Sequence, residues 1–196
     1  MSKFYLVRHG HHAYLGNTIV GWREGVGLSE EGRSQADRLA HQLAGSGISA
    51  IYSSPLERAL ATAEPLARRI GLSVQPRDAF GEIRFGEWTG RTLKELSAEP
   101  LWNLFNTYRS STRPPDGEMM IEVQTRVVSE LEQLRSTHPG QSVAIFSHGD
   151  VIKAALIHYA GIPIDLCHRI EISPASITTI ALHDYGPQIL AVNAFC

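Results

Sequence analysis

The sequence predicts an α/β fold, a three-layer α/β/α sandwich in which a mostly parallel sheet carries helices on both faces. Short apolar runs that are typical of buried strands alternate along the chain with segments of helical periodicity. Two of these runs end abruptly at a histidine, as expected of strands that deliver side chains to a crevice at the carboxyl edge of a sheet. The strand candidates are residues 3–7, 50–53, 72–75 and 142–146.

Capping patterns in the sequence predict where two helices begin. The first helix is predicted to begin after Ser29, because serine is a strong N-cap residue and two glutamates follow it. The second is predicted to begin at residues 54–57, Ser-Pro-Leu-Glu, which have the pattern of a capping box with proline at the first helical position. Arg58 is therefore expected in the first turn of a helix that starts where a strand ends.

The helical and strand patterns weaken between residues 84 and 117. This stretch ends in the turn-forming sequence Arg-Pro-Pro-Asp-Gly at residues 113–117 and is rich in aromatic residues. The aromatic residues are Trp88, Trp102, Phe105 and Tyr108. We expect a small cap inserted at about residues 84–117, with the aromatic side chains as its core, within a single domain of residues 1–196.

The rest of the chain continues the alternation of elements. A regular helix is predicted over residues 118–135, and another over residues 151–159, immediately after the second histidine. The apolar, β-branched segments 176–182 and 188–192 are predicted to be late strands near an edge of the sheet.

Composition and charge exclude several classes of function. The 196 residues carry a formal net charge of −2, so the overall field does not attract nucleic acid or anionic lipid. The two cysteines, Cys167 and Cys196, form no C-x-x-C pair, which favours neither a disulfide framework nor a zinc site. No apolar stretch approaches the roughly 20 residues that span a bilayer, and no apolar leader precedes the first strand. We expect a cytoplasmic protein that binds neither nucleic acid nor membrane.

Four basic side chains follow strand ends or lie in the first turn of a helix: Arg8, His9, Arg58 and His148. Two guanidiniums and two imidazoles in one crevice predict an anion site, because the planar fork of arginine suits phosphate oxygens. The N-terminus of the helix after His148 would add backbone N–H donors. Cleavage of a phosphate ester also needs a proton donor for the leaving oxygen, and Glu82 is the candidate.

Six motifs occur in a fixed order over most of the chain, and together they are far more specific than Arg-His-Gly alone. The motifs are Arg8-His9-Gly10, Leu28-Ser29-Glu30-Glu31-Gly32, Ser53-Ser54-Pro55-Leu56-Glu57-Arg58-Ala59, Glu82-Ile83-Arg84-Phe85-Gly86-Glu87-Trp88, Gly117-Glu118 and Ser147-His148-Gly149. This ordered set resembles the histidine phosphatase superfamily, also called the phosphoglycerate mutase-like family. The segment around Glu82 is similar to the phosphatase branch.

The resemblance implies a role for each candidate residue. His9 would be the nucleophile that becomes phosphohistidine, and Arg8, Arg58 and His148 would hold the phosphoryl oxygens. Glu82 would act first as the acid and then as the base. The resemblance implies hydrolysis of a small-molecule phosphate ester without a metal ion or another cofactor. The substrate-binding candidates are Arg8, Arg58, His148, Asn17 and Gly149.

The residues that follow Arg-His-Gly depart from the family pattern. An acidic or amide residue followed by Thr or Ser is usual there, whereas this chain has His11 and His12. The usual nearby asparagine is displaced, with Asn17 as its counterpart. His9, His11, His12 and His148 also suggest a metal site, but the sequence around His9 lacks the carboxylates that hard cations prefer. We favour a polar loop at the pocket entrance.

Two other functions remain open at this stage. A cofactor-dependent phosphoglycerate mutase is one, since Gly21-Trp22 resembles the mutase segment, although residues 82–117 are short for the mutase insertion. A non-catalytic protein that binds phosphate or phosphopeptides is the other, although pure binding needs neither His9 nor Glu82. Among substrates, sugar phosphates, phosphoglycerates, α-ribazole phosphate and phosphoproteins all remain candidates, and the sequence does not determine the oligomeric state.

Overall fold

The computed structural model describes residues 1–195 and contains one six-stranded sheet with helices on both faces. The predicted α/β/α class is confirmed. The strands are β1 (Ser2–Arg8), β2 (Ile48–Ser53), β3 (Val74–Pro76), β4 (Ser142–Ser147), β5 (Ile177–His183) and β6 (Gly186–Ala194). The helices are α1 (Glu30–Leu43), α2 (Glu57–Ile70), α3 (Leu93–Leu96), α4 (Pro100–Thr107), α5 (Met120–Thr137) and α6 (Gly149–Ala160). Three 3₁₀ turns cover Asp78–Phe80, Gly86–Trp88 and Ile164–Arg169.

The strand order is β3-β2-β4-β1-β5-β6, and the pairs among the first four strands in this order are parallel. Strands β5 and β6 run antiparallel and form one edge, in agreement with the prediction of late strands near an edge. β1 and β4 lie side by side, with Arg8 opposite Ser147. The N–H of His9 donates to the Ser147 carbonyl at 2.9 Å. This register places the two histidines that follow these strands next to each other.

Alternation along β1 distributes its side chains between two apolar cores. Val7 packs with Leu39 of α1 and Leu66 of α2 on one face of the sheet. Leu6 packs on the other face, in the core that contains Val127 of α5 and helix α6. These side chains are almost completely buried. Helices cover both faces of the sheet, which explains why the central strands are apolar on both sides.

The two predicted helix starts differ in outcome. Ser29 is the N-cap of α1, and its hydroxyl accepts the Gly32 N–H at 3.1 Å, as expected. The capping box predicted at Ser54 is wrong, because α2 begins at Glu57 and its N-cap, Leu56, makes no side-chain cap. The Ser54 hydroxyl instead accepts the Leu56 N–H at 3.2 Å and contacts His148 at 2.8 Å. Arg58 still lies in the first turn of α2.

Residues 84–117 form short helical pieces around an aromatic cluster. Trp88, Trp102 and Phe105 pack mostly edge to face, with ring centroids 5.2 to 6.1 Å apart. Tyr108, which we expected in this cluster, is 53% exposed instead. The cluster is continuous with the core that contains Val127 and α6. The segment is therefore anchored on the main core, and its description as an inserted cap stays a prediction.

Candidate active site

A cavity of about 200 Å³ lies at the carboxyl ends of the parallel strands. This is the edge at which an open α/β sheet places its ligands. Five predicted residues line the cavity: Arg8, His9, Arg58, Glu82 and Gly149. Apolar side chains complete the wall. They are Leu15, Ile19, Val20, Phe85, Leu93 and Ile172.

The imidazole of His9 is held in one tautomer. Its Nδ1 lies 2.8 Å from the Gly10 carbonyl, and a carbonyl can only accept, so Nδ1 carries the hydrogen. The lone pair on Nε2 is therefore free. The ring is 2% exposed, and burial lowers the pKa of His9 well below its usual value, with Arg58 and Arg8 lowering it further. The imidazole of His9 is thus neutral, with the lone pair of Nε2 available.

The guanidiniums of the partly buried Arg8 and the fully buried Arg58 flank His9. One nitrogen of Arg8 donates to the Ile172 carbonyl at 2.6 Å, and Nη2 of Arg58 donates to the Gly21 carbonyl at 2.9 Å. Within residues 1–195, the Nε atoms of both arginines are buried and lack a hydrogen-bond partner. A buried charged donor without a partner is costly, so these groups favour an anionic ligand in the cavity.

His148 lies behind the cavity wall, is fully buried and is absent from the lining residues. Its Nδ1 faces Arg58 Nη2 at 3.3 Å and Glu82 Oε2 at 3.6 Å, and its Nε2 faces the Ser54 hydroxyl at 2.8 Å. Arginine only donates, so Nδ1 accepts from Arg58 in this arrangement and Nε2 carries the hydrogen. Burial lowers the pKa of His148 well below its usual value, and Arg58 lowers it further.

Glu82 brings a carboxyl group to the same cavity. Its Oε1 accepts the Ile83 N–H at 3.0 Å. Burial raises the pKa of Glu82, and the nearby Asp150 raises it further, against the weaker opposing effects of Arg58 and Arg8. A carboxyl group whose pKa is raised in this way is suited to act as a general acid.

Gly149 begins α6 at the edge of the cavity, so the helix directs its N-terminal amides toward the same space. A Cβ at this position would lie 3.4 Å from the Arg8 guanidinium. This distance is an ordinary van der Waals contact, so the start of the helix lies next to the Arg8 guanidinium.

Asn17 is the one predicted site residue whose side chain neither lines the cavity nor contacts another predicted site residue. It lies in an exposed turn, and its side chain is absent from the lining residues, although Gly16 and Thr18 are among them. Only its main chain is engaged, with its carbonyl accepting the Leu93 N–H at 2.8 Å. A binding role for the Asn17 side chain has no geometric support here.

The two extra histidines take different positions. His12 lines the cavity, its ring lies 5.2 Å from that of His9, and burial with the neighbouring arginines lowers its pKa to about 4. His11 faces α1 instead, with Nδ1 2.8 Å from the Ser29 hydroxyl. The four histidines therefore do not converge on a point, and residues 1–195 contain no group of three or more His, Cys, Asp or Glu placed to hold a metal ion.

Sequence reasoning missed three charged residues beside the cavity. Asp150 and Lys153 of α6 line it, and Asp150 forms an ion pair with Arg109 at 2.9 Å. Lys153 has no ion-pair partner within residues 1–195. Asp150 follows Ser-His-Gly directly, and helical spacing puts Lys153 one turn later on the same face, so the sequence could have indicated both residues. The sequence could not have indicated Arg109, because 41 residues separate it from Asp150.

Comparison with known proteins decides the family. A profile described as the histidine phosphatase superfamily (branch 1) matches residues 4–194. The chain belongs to the histidine phosphatase superfamily. It is 30% identical over its whole length to phosphoserine phosphatase 1 of Hydrogenobacter thermophilus, covering 94% of that protein.

Two solved phosphatase structures are also similar. A phosphoserine phosphatase from Entamoeba histolytica in complex with phosphoserine matches with a TM-score of 0.89 at 27% identity, over 98% of this chain and 97% of that one. A mycobacterial glucosyl-3-phosphoglycerate phosphatase matches with a TM-score of 0.89 at 25% identity, over 98% of both chains. The enzyme is thus a phosphatase, a phosphoric monoester hydrolase. None of the helices within residues 1–195 has the length and apolar character that crossing a membrane requires.

The Nε atoms of Arg8 and Arg58, which lack a partner within residues 1–195, lead to a prediction about phosphate. Inorganic phosphate should raise the melting temperature of the native protein, since at 100 times its Kd a ligand stabilises by about 2.7 kcal/mol. Arg58→Met should abolish this shift while leaving the phosphate-free protein folded, because it removes a buried charge that lacks full compensation. Arg69→Met, at an exposed position of the same helix, is the matched control. An unchanged phosphate shift in Arg58→Met would contradict the anion site.

Proposed function

We propose that the enzyme hydrolyses a small phosphate monoester through a phosphohistidine intermediate on His9, with Glu82 as proton donor and without a metal ion. The observation that carries the proposal is the buried neutral imidazole of His9, which leaves Nε2 free between the guanidiniums of Arg8 and Arg58. A nucleophile and two cations in one small cavity are the elements that phosphoryl transfer requires.

In the first step, Nε2 of His9 forms a bond to phosphorus while the bond between phosphorus and the leaving oxygen breaks. Glu82 gives its proton to that oxygen, and the alcohol departs. The guanidiniums of Arg8 and Arg58 stabilise the charge on the equatorial oxygens, assisted by the N-terminus of α6. The Gly10 carbonyl, which accepts from Nδ1, stabilises the positive charge that develops on the ring.

In the second step, a water molecule attacks the phosphorus of phosphohistidine. Glu82, now a carboxylate, takes a proton from this water, and the bond between phosphorus and Nε2 breaks. The products are inorganic phosphate, neutral His9 and protonated Glu82, so the cycle closes. His148 holds Arg58 from behind by accepting from it through Nδ1. In the alternative tautomer, in which Ser54 donates to Nε2, the Nδ1 hydrogen would be available to the phosphoryl group in place of the contact with Arg58.

The substrate that we favour carries a carboxylate beside its phosphate. Lys153 supplies a cation on the cavity wall that is separate from Arg8 and Arg58. The named substrates of the similar enzymes, phosphoserine and glucosyl-3-phosphoglycerate, both have such a carboxylate. A cavity of about 200 Å³ also favours a small ester over a phosphoprotein.

Hydrolysis can be tested with the EDTA-treated protein and a panel of small phosphate esters. Activity should survive EDTA, and His9→Ala should lose roughly 10⁴-fold or more in kcat, on the scale seen when a catalytic nucleophile is removed. His158→Ala, at an exposed histidine of α6, is the control. Activity that EDTA removes would contradict the proposal, and transfer between phosphoglycerates in place of phosphate release would identify a mutase.

The carboxylate preference predicts a selective effect at Lys153. Lys153→Met should raise KM for phosphoserine by about tenfold, the loss expected for a charge-assisted hydrogen bond. It should affect an ester of comparable size without a carboxylate, such as glycerol phosphate, much less. Steady-state kinetics on both substrates provides the measurement. Equal losses on the two esters would show that Lys153 does not recognise the carboxylate.

A further inference from the structure

We infer that Arg126 of α5 is a positioning residue for the general acid: it fixes the main chain that carries Glu82. The inference depends on the proposed role of Glu82. Arg126 does not line the cavity, so it acts through its neighbours. Its Nη1 donates to the Ala79 carbonyl at 2.7 Å, and its Nη2 donates to the Glu82 carbonyl at 3.2 Å. One rigid guanidinium thus bridges two carbonyls of the segment that leads to the acid.

Glu118 holds Arg126 in this orientation. Arg126 Nε donates to Oε1 of Glu118 at 2.7 Å, and Nη2 donates to Oε2 at 3.1 Å, which is the bidentate geometry of a strong ion pair. Glu118 also contacts the main chain beyond the acid. Its N–H donates to the Arg84 carbonyl at 2.7 Å, and its Oε2 accepts the Arg84 N–H at 3.3 Å. The Arg126–Glu118 pair therefore makes hydrogen bonds to the main chain on both sides of Glu82.

Trp22 contributes a third contact to this segment. Its indole N–H donates to the Glu82 carbonyl at 2.6 Å, so this carbonyl accepts from two side chains. The ring also lies against Gly81, where an added Cβ would come within 2.2 Å of it. The Arg84 guanidinium lies over the Trp22 ring, 4.0 Å from the ring centroid. The main chain at residues 81–84 consequently has little freedom to shift.

The side chain of Glu82 has little anchoring of its own. Its Oε1 bonds to the N–H of the next residue, Ile83, and its Oε2 lies 3.6 Å from His148. The position of the acid is therefore set mainly by its backbone. A displacement of about 1 Å at a reacting group can cost about 10²-fold in rate. Loss of Arg126 should thus impair proton donation without removing the acid itself.

Leaving-group dependence distinguishes this role from general destabilisation. An alkyl alcohol leaves poorly and needs a proton, whereas a nitrophenolate leaves without one, and kcat/KM reports only the steps through phosphorylation of His9. Arg126→Met should lower kcat/KM by about 10²-fold on an alkyl phosphate. Its effect on 4-nitrophenyl phosphate should be much smaller. Glu82→Gln should show the same selectivity, with a loss of about 10²- to 10⁴-fold on the alkyl ester.

Two further variants and a double mutant complete the experiment. Arg135→Met is the matched control, because Arg135 lies on the same helix and pairs with Glu132 and Asp184 away from the cavity. Trp22→Phe removes the indole N–H donor while keeping an aromatic ring at this position, and it covers the case in which Arg126→Met does not fold. Combining Arg126→Met with Glu82→Gln should add little further loss on the alkyl ester, since both act on one group.

The outcomes separate the two claims. Equal losses on both esters in Arg126→Met and in Trp22→Phe would overturn the positioning role. Full additivity with Glu82→Gln would overturn it too. If Glu82→Gln itself shows no leaving-group dependence, the acid role in the proposed function fails. Selective loss in the Arg126 and Trp22 variants, with normal kinetics in Arg135→Met, would support the inference.

Discussion

Parallel pairing of β1 with β4 is the constraint on which the site depends. Their register sets Arg8 opposite Ser147, so His9 and His148, each one residue later, become neighbours, with ring centroids 5.1 Å apart. Both strands are buried between helices, and slipping the pairing by one residue would turn their apolar side chains to the wrong faces. The apolar core thus fixes the position of two catalytic candidates that are 139 residues apart in the chain.

The electrostatics of the site follow from this burial. Two guanidiniums, from the end of β1 and the first turn of α2, lie beside imidazoles that burial keeps neutral. The nearest carboxyl group, on Glu82, has a raised pKa, and Asp150 is paired with Arg109. The cavity consequently has excess positive charge and, within residues 1–195, buried polar atoms without a hydrogen-bond partner. Such an arrangement reduces stability locally but is suited to a phosphoryl group, whose charge grows on its outer oxygens during transfer.

Sequence patterns predicted the features that are local in the chain. The apolar strands, the Ser29 cap and Arg58 in the first turn of α2 all depend on residues a few positions apart, and the structure agrees. The Ser54 capping box failed because its hydroxyl is engaged by His148, 94 residues away. Asn17 is outside the cavity for a similar reason, since the path of its loop is set by contacts with residues 91–93. Arg126 and Trp22 could not be predicted, because their bonds to the Glu82 main chain arise only from tertiary packing.

The most direct test of the account is detection of the covalent intermediate. Protein mixed with substrate and quenched within milliseconds in alkali, which preserves phosphohistidine, would be analysed by intact mass and peptide mapping. The account predicts a phosphoryl group on His9 that disappears as substrate is exhausted, and no labelled peptide in His9→Ala. Rapid turnover without any phosphorylated protein, or label on another residue, would contradict it.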